Sequence, residues 1–296
     1  MSARNCVMIT SMPYSRIPRA ALLPALLLCV LVSGLEAVGA EPEPTSQLIG
    51  TSVKGRPITV THLGSDAAPI RIVVLGQMHG NEPAGRRVVS LLQARELPDG
   101  VQLWLISTMN PDGSALGTRR NAHKVDINRN FPNHWKTSKR RSPYYAGARA
   151  ASEPETQGLI TFLEAVQPTA VLSFHQAYGM VDDVYPRGRA AAKKLGALLG
   201  LRTGVVPCRG VCNGTLTGWV NNELQAIGIT IELRSKVTPA GARRAASAVI
   251  GLGAWLADSV VPVPTQSRTP VPTAVPTPEP SAPAPAPSES APASPA

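Results

Sequence analysis

Residues 70–83 read IRIVVLGQMHGNEP, an apolar run followed by a turn that carries a histidine and a glutamate. The run is rich in β-branched residues and predicts a buried strand, and the helical pattern at 83–95 has a proline near its first turn. Gly76 and Gly80 permit a tight turn between the two elements. The stretch therefore predicts a strand, a turn and a helix, as found in α/β sheets.

Strands and helices continue to alternate along the chain. This alternation predicts one α/β domain of three layers, α/β/α, whose central sheet is mixed and mostly parallel. We assign residues 41–260 to this domain, a length that supports a sizeable core. The further predicted strands lie at 57–62, 101–107, 169–174 and 227–233, and the further predicted helices at 153–167, 190–201 and 239–257.

The beginning of the chain departs from this pattern. Residues 1–40 carry Arg16 and Arg19, then an apolar stretch, then Val38-Gly39-Ala40, which is the order of a secretory signal peptide cleaved after Ala40. An uncleaved membrane anchor is the alternative, although the apolar run is short for a span and contains Pro24. We expect a secreted protein, periplasmic or extracellular, with no stable membrane insertion after cleavage.

The other end is a tail at 261–296 that holds 12 of the 29 prolines. Such a segment has too little apolar bulk to offset the entropy of ordering, so the composition predicts disorder. The net charge of +10 includes the basic loop 136–141, KTSKRR. Because no nucleic-acid-binding motif accompanies it, we expect no nucleic acid partner, but either a solvated loop or association with anionic cell-wall polymers through loop and tail.

Two cysteines remain in the assigned domain, Cys208 and Cys212. In an oxidising compartment they could form a small-loop disulfide ahead of the last predicted strand. Their spacing, with no second pair nearby, does not indicate a metal site.

Three side chains offer a metal site. His79 and Glu82 form a short chelating pair, and His175 directly follows the predicted strand 169–174. Because the carboxyl ends of strands in an α/β sheet border one crevice, we expect these residues to meet. Zinc in hydrolases typically takes three such ligands and leaves one position for water. The pattern therefore predicts one Zn²⁺ per chain.

Glu232 is a lone carboxylate within the apolar residues 229–233, ITIEL. An ionised group in such a strand is costly unless it has a partner or a function, so Glu232 is the candidate general base. The alternative is a strand-end glutamate that faces solvent.

Residues 118–121 read TRRN and residues 125–132 read VDINRNFP. Arginine offers forked donors that suit a carboxylate or a developing oxyanion, and a neighbouring asparagine adds a second contact. The remaining histidines are predicted to be structural or exposed: His62, His123 and His134.

Taken in order, these motifs resemble the zinc carboxypeptidase family over residues 50–233. The compact spacing, especially at 117–132, resembles the branch that contains bacterial murein peptide amidases. The resemblance rests on His79-x-x-Glu82, Asn110-Pro111-Asp112-Gly113, Asp126-x-Asn128-Arg129-Asn130-Phe131, His175 and Glu232.

The resemblance implies a role for each matching residue. His79, Glu82 and His175 would bind zinc, and Glu232 would act first as general base and then as general acid. Arg119, with Arg120 as the alternative, falls where the family keeps the arginine that polarises the scissile carbonyl. The pair that holds the free carboxylate of the substrate matches Asn128 and Arg129, and Thr215 is either a substrate hydrogen-bonding group or a turn residue.

One departure concerns the loop ahead of Glu232. Family members usually carry a tyrosine there that closes over the substrate, whereas residues 206–231 of this chain contain none, and Val211 or a neighbour takes that place. The contact is either absent or supplied by Tyr178 or Trp219.

The expected function is that of a secreted zinc metallopeptidase that hydrolyses an amide bond near a free C-terminal carboxylate. The favoured substrate is the γ-D-glutamyl-diaminopimelate bond of cell-wall peptides. Two alternatives stay open: an N-acyl amino acid deacylase of the related branch, and a wall-binding protein without catalysis.

Overall fold

The structure is a computed structural model that describes residues 44–207 and 212–259. The predicted signal segment 1–40 and the predicted tail 261–296 lie outside the described residues, and both stay predictions. No helix within the described ranges combines the length and the hydropathy needed to cross a bilayer.

Seven strands and six α-helices make up the described fold, with single 3₁₀ turns at Ile127–Arg129 and Pro186–Gly188. The strands are β1 Thr45–Thr51, β2 Pro57–Leu63, β3 Ile70–Leu75, β4 Val101–Ile106, β5 Ala170–Asp182, β6 Arg202–Gly204 and β7 Ile227–Arg234. The helices are α1 Ala84–Leu92, α2 Pro111–Leu116, α3 Pro154–Val166, α4 Arg189–Leu199, α5 Leu216–Asn222 and α6 Pro239–Ser259.

The strands form one mixed sheet in the order β1-β2-β4-β3-β5-β6, with β7 also paired to β5. The pairs β1–β2 and β2–β4 are antiparallel, and the other four pairs are parallel. Helices α1, α4 and α6 pack on one face of the sheet, and α3 and α5 pack on the other. The predicted three-layer arrangement with a mostly parallel sheet is therefore confirmed.

All the predicted strands and helices form, with boundaries close to those expected, except that β5 is much longer than predicted. The prediction ended this strand at residue 174, but it continues to Asp182 and reverses direction along β7. His175 lies opposite Glu232 on β7, and beyond Gly179 the partner of Glu232 is Met180. Residues 176–179, QAYG, mix polar, small and aromatic side chains and include a glycine, so the local sequence does not predict this extension.

The turn that follows β3 and the first turn of α2 are in direct contact through two glycines. Gly80 follows β3, and Gly113 lies in the first turn of α2. A Cβ atom added to Gly80 would overlap the backbone of Gly113, so the two turns touch main chain to main chain. The positions of the His79 turn and of the Asn110 turn are therefore coupled.

We expect Gly80→Ala to lower the free energy of unfolding by about 1–3 kcal/mol, since the clashing atoms belong to the backbone and cannot rotate away. Urea unfolding of the metal-free protein measures this difference. The control is Gly251→Ala in α6, where the added methyl group meets only the end of Leu198. The control should leave stability equal or slightly higher, because alanine favours the helix; equal effects of both changes would contradict the coupling.

Candidate active site

Three buried side chains converge at the carboxyl end of the sheet. His79 Nδ1 lies 2.9 Å from Glu82 Oε2 and 3.1 Å from His175 Nδ1. His175 Nδ1 is 3.0 Å from the same Glu82 oxygen. Donor atoms this close to one another could hold a metal ion. The structure thus brings together the three ligands that the sequence predicts.

Contacts on the far side of each ring decide which nitrogen faces the centre. His79 Nε2 lies 3.1 Å from Asp126 Oδ1, and His175 Nε2 lies 3.0 Å from Ser173 Oγ. Burial alone would raise the pKa of Asp126, but His79 and Arg119 hold it well below its usual range. An ionised carboxylate only accepts hydrogen bonds, so His79 donates Nε2–H and turns the Nδ1 lone pair inward.

The electrostatics of this arrangement fit a cation. The two imidazole lone pairs and the carboxylate oxygen all carry negative charge density and repel one another. A positive charge between them removes this repulsion. Two nitrogens and one oxygen are the donor set that zinc takes at catalytic sites, with bonds of about 2.0–2.2 Å. The residues present therefore fit zinc.

Arg119 lies beside the three ligands. Its Nε and Nη2 donate to Asp126 Oδ2 at 3.0 and 2.8 Å, and its Nη1 lies 3.4 Å from Glu82 Oε1. Asn110 supports it from behind, since its Nδ2 donates to the carbonyl of Arg119. Arg120 instead donates to the carbonyl of Ser142. The structure places Arg119, and not its neighbour, at the site.

Asn128 and Arg129 line the same cleft from the 3₁₀ turn. Asn128 Oδ1 accepts a hydrogen bond of 2.9 Å from the backbone of Leu216, which anchors the amide. Arg129 is buried, and its Nη1 donates to the carbonyl of Asn128 at 2.7 Å. A hydrogen bond to a backbone group thus holds the side chain of each member of this pair.

Tyr144 is a cleft residue that sequence reasoning missed. The guanidinium carbons of Arg119 and Arg129 lie 5.3 and 5.5 Å from the centre of its ring. A ring placed under two cations attracts both and reduces the cost of keeping them close. Its sequence context, a loop with no periodic pattern, gives no signal of this position.

Glu232 is buried, and the alternative of a solvent-facing glutamate is wrong. It is 7% exposed, and its Oε2 has no hydrogen-bond partner among the described residues. Burial raises the pKa of its carboxyl, Glu82 adds to this effect, and His175 together with the backbone N–H of Tyr178 opposes it. The carboxyl group therefore borders the ligands with one oxygen unengaged.

The two candidates for the missing lid contact differ in position. Trp219 packs against Phe131 in the core and is only 4% exposed, so this alternative is wrong. Tyr178 lines the cleft and is 42% exposed. Val211 and Cys208 lie outside the described residues, and Cys212 is a disulfide cysteine.

Thr215 has a structural function that the sequence left open. Its hydroxyl accepts a hydrogen bond of 3.1 Å from the backbone of Gly218 and caps α5. It also lines the cleft, which encloses about 400 Å³. Among the other histidines, His62 is buried against Trp104, while His123 and His134 are exposed, as predicted.

A mixed α/β sheet that carries a buried His–Glu–His set at its carboxyl edge is the arrangement of a zinc metallopeptidase. The zinc carboxypeptidase family matches residues 35–195. This match covers more than half of the sequence, and the chain belongs to this family. The resemblance seen in the motifs is thereby confirmed.

Two bacterial relatives are similar in sequence. Murein peptide amidase A of Vibrio campbellii is 34% identical over 203 residues, which cover 64% of this chain and 79% of the relative. Murein peptide amidase A of Escherichia coli K12 is 31% identical over 157 residues, which cover 49% of this chain and 64% of the relative. The chain thus spans less than two thirds of the Escherichia coli protein.

Solved structures agree with the fold. The murein-tripeptide amidase of Escherichia coli O157 superposes with a TM-score of 0.55 at 27% identity, covering 74% of this chain and 93% of that one. Carboxypeptidase A of Helicoverpa armigera gives a TM-score of 0.62 at 17% identity, covering 73% and 69%. The second likeness concerns the fold alone.

We expect Asp126→Asn to weaken zinc binding about 10- to 100-fold, because the amide removes the charge that orients His79. Competition with a chelating dye measures this affinity. Asp66→Asn is the control, since the Asp66 side chain is 92% exposed. Unchanged affinity in the Asp126 variant would show that its carboxylate does not support the ligand.

Proposed function

We propose that His79, Glu82 and His175 hold one zinc ion and that Glu232 transfers the protons of amide hydrolysis. The observation that carries this proposal is the buried Glu232 carboxylate, one oxygen of which has no partner among the described residues, beside three convergent ligands. Zinc, when bound, supplies a Lewis acid that polarises a carbonyl and lowers the pKa of a water molecule to about 7.

Glu232 suits proton transfer because a raised pKa makes its carboxylate a stronger base than an ordinary glutamate. Burial raises its pKa, while His175 and one backbone N–H lower it. A general base works best when its pKa lies between those of the groups that exchange the proton. In this proposal Glu232 takes a proton from the attacking water and delivers it to the leaving amine.

The guanidinium groups are assigned to the charges of the substrate. Arg119 is anchored on Asp126 through Nε and Nη2, which leaves Nη1 toward the ligands, where a carbonyl oxygen gains negative charge. Asn128 and Arg129 are assigned to the free carboxylate of the substrate, and Tyr144 keeps both arginines in place. Thr215 shapes the adjoining wall as a helix cap.

We propose a cell-wall stem peptide as substrate, cut between γ-D-glutamate and diaminopimelate. The names of the bacterial relatives support this choice, as does the expected secretion through residues 1–40. The exposed basic residues of loop 136–141 suit association with an anionic wall. Membership of the zinc carboxypeptidase family favours a peptidase over the deacylase, and the complete set of candidate ligands and base favours an enzyme over a binding protein.

The purified protein is expected to contain one zinc per chain and to release diaminopimelate from L-alanyl-γ-D-glutamyl-diaminopimelate. Metal analysis and amino acid analysis of the products measure these two properties. Removal of zinc with a chelator should abolish release, and added zinc should restore it. Release that persists in the metal-free protein would refute the metal-dependent mechanism.

Glu232→Gln should keep zinc but lower kcat about 10²- to 10⁴-fold, because the amide cannot accept the proton. Zinc content and steady-state rates on the same tripeptide separate these effects. Glu164→Gln, at an exposed position of α3, is the matched control and should keep full activity. Turnover near that of the control would remove Glu232 from the mechanism.

A further inference from the structure

One face of β7 packs in the hydrophobic core, and the other face lines the cleft. Ile229, Ile231 and Leu233 belong to the hydrophobic core, whereas Thr230 and Glu232 line the cleft. Side chains alternate between the faces of a strand and rise about 3.3 Å per residue, so Thr230 lies roughly 7 Å along the strand from Glu232. The cleft therefore continues past the catalytic carboxyl group toward a polar residue.

Asp182 lies beside this continuation. The returning part of β5 places Val181 opposite Ile231, and both side chains are buried in the core. The next residue, Asp182, points to the other face and lines the cleft, where it is half-buried. Its Oδ1 accepts hydrogen bonds from the backbone of Val184 and Val206 at 3.3 and 3.4 Å.

Among the described residues, no cationic side chain neutralises this carboxylate. Within the described ranges, no lysine, arginine or histidine side chain forms an ion pair with Asp182. Burial raises the pKa of Asp182, and the neighbouring Asp183 also raises it. A partly buried carboxylate without a counter-ion is unfavourable, and a cationic ligand would relieve the cost.

Hydroxyl groups also line the cleft, together with apolar residues such as Val184 and Val206. Thr217 Oγ1 lies 3.2 Å from Thr230 Oγ1, and the phenol of Tyr185 is hydrogen-bonded to Thr215. Thr217, Thr230 and Tyr185 all line the cleft. A hydroxyl oxygen that already takes part in one hydrogen bond can still accept another from an ammonium group.

The cleft thus presents opposite charges to its ligand. Arg119, Arg129 and Asp182 all line it, and Asp182 has no cationic ion-pair partner among the described residues. A ligand that satisfies both carries a carboxylate and, some bonds away, a positive charge. Diaminopimelate and lysine share this chemistry, but norleucine has the same chain without the ammonium group.

We propose that Asp182 is the cation-binding residue of the cleft and that it selects substrates whose released residue carries an ammonium group on its side chain. This inference rests on the proposed function, because it assigns the pocket beyond Glu232 to the residue that is cut off. It adds a specificity residue to that proposal.

The test compares two peptides, L-alanyl-γ-D-glutamyl-L-lysine and L-alanyl-γ-D-glutamyl-L-norleucine, with the zinc-loaded wild-type enzyme. We expect a higher kcat/KM for the lysine peptide by roughly 10- to 100-fold, the range for one charge-assisted hydrogen bond. Equal kcat/KM values for the two peptides would overturn the inference and leave the proposed function standing. If the enzyme cleaves none of the three peptides, the lysine, norleucine and diaminopimelate peptides, both the inference and the proposed function are overturned.

The variant Asp182→Asn keeps an acceptor for the two backbone N–H groups but removes the charge. It should lose the preference for lysine, mainly through KM, and keep the rate on the norleucine peptide. Asp183→Asn is the matched control, since this adjacent carboxylate does not line the cleft and should leave the preference intact. An equal loss of activity on both peptides in Asp182→Asn, with zinc content unchanged, would show a structural role and overturn the assignment.

Discussion

The carboxylate of Asp126 is the group around which the site is built. One oxygen receives His79 Nε2 and the backbone N–H of Asn128, and the other receives two N–H groups of Arg119. The residue is fully buried, so these contacts act in a medium that strengthens them. A single side chain therefore sets the tautomer of a proposed metal ligand, the direction of a guanidinium group and the start of the turn that carries Asn128 and Arg129.

The fold adds a second constraint, which is steric. The turn after β3 and the first turn of α2 touch through glycine backbone, and Asn110, the N-cap of α2, donates a hydrogen bond to the carbonyl of Arg119. The proposed metal ligands and Arg119 come from distant parts of the sequence, yet they share one rigid support. Such pre-organisation matters because hydrolysis depends on groups that are already placed when charge develops.

Much of this arrangement could be predicted from the sequence. The hydrophobic runs fixed the major strands and helices, because buried strands and amphipathic helices leave strong periodic patterns. The ligands, Glu232 and Arg119 could be named because they occur in motifs with a specific order. The short elements β1, β6, α2 and α5 were missed, since they are brief or contain glycine and proline and carry little pattern.

Other residues could not be assigned because their roles depend on tertiary placement. Asp126 belonged to a recognised motif, but its contact with His79 spans 47 positions along the chain. Tyr144 lies in a loop whose path is set by hydrogen bonds to other loops, such as that from Asp126 N–H to the carbonyl of Tyr145. Asp182 comes to the cleft only because β5 doubles back, and nothing in the local sequence indicates that reversal.

The reversal of β5 also limits how this part of the chain can change in evolution. Residues 175–182 carry a candidate metal ligand at one end and the pocket carboxylate at the other, and the core packing of Val181 fixes the phase between them. Because neighbouring side chains on a strand face opposite ways, one inserted or deleted residue would bring Asp182 into the core and Val181 into the cleft. Substitutions within this segment are therefore tolerated more readily than a change in its length.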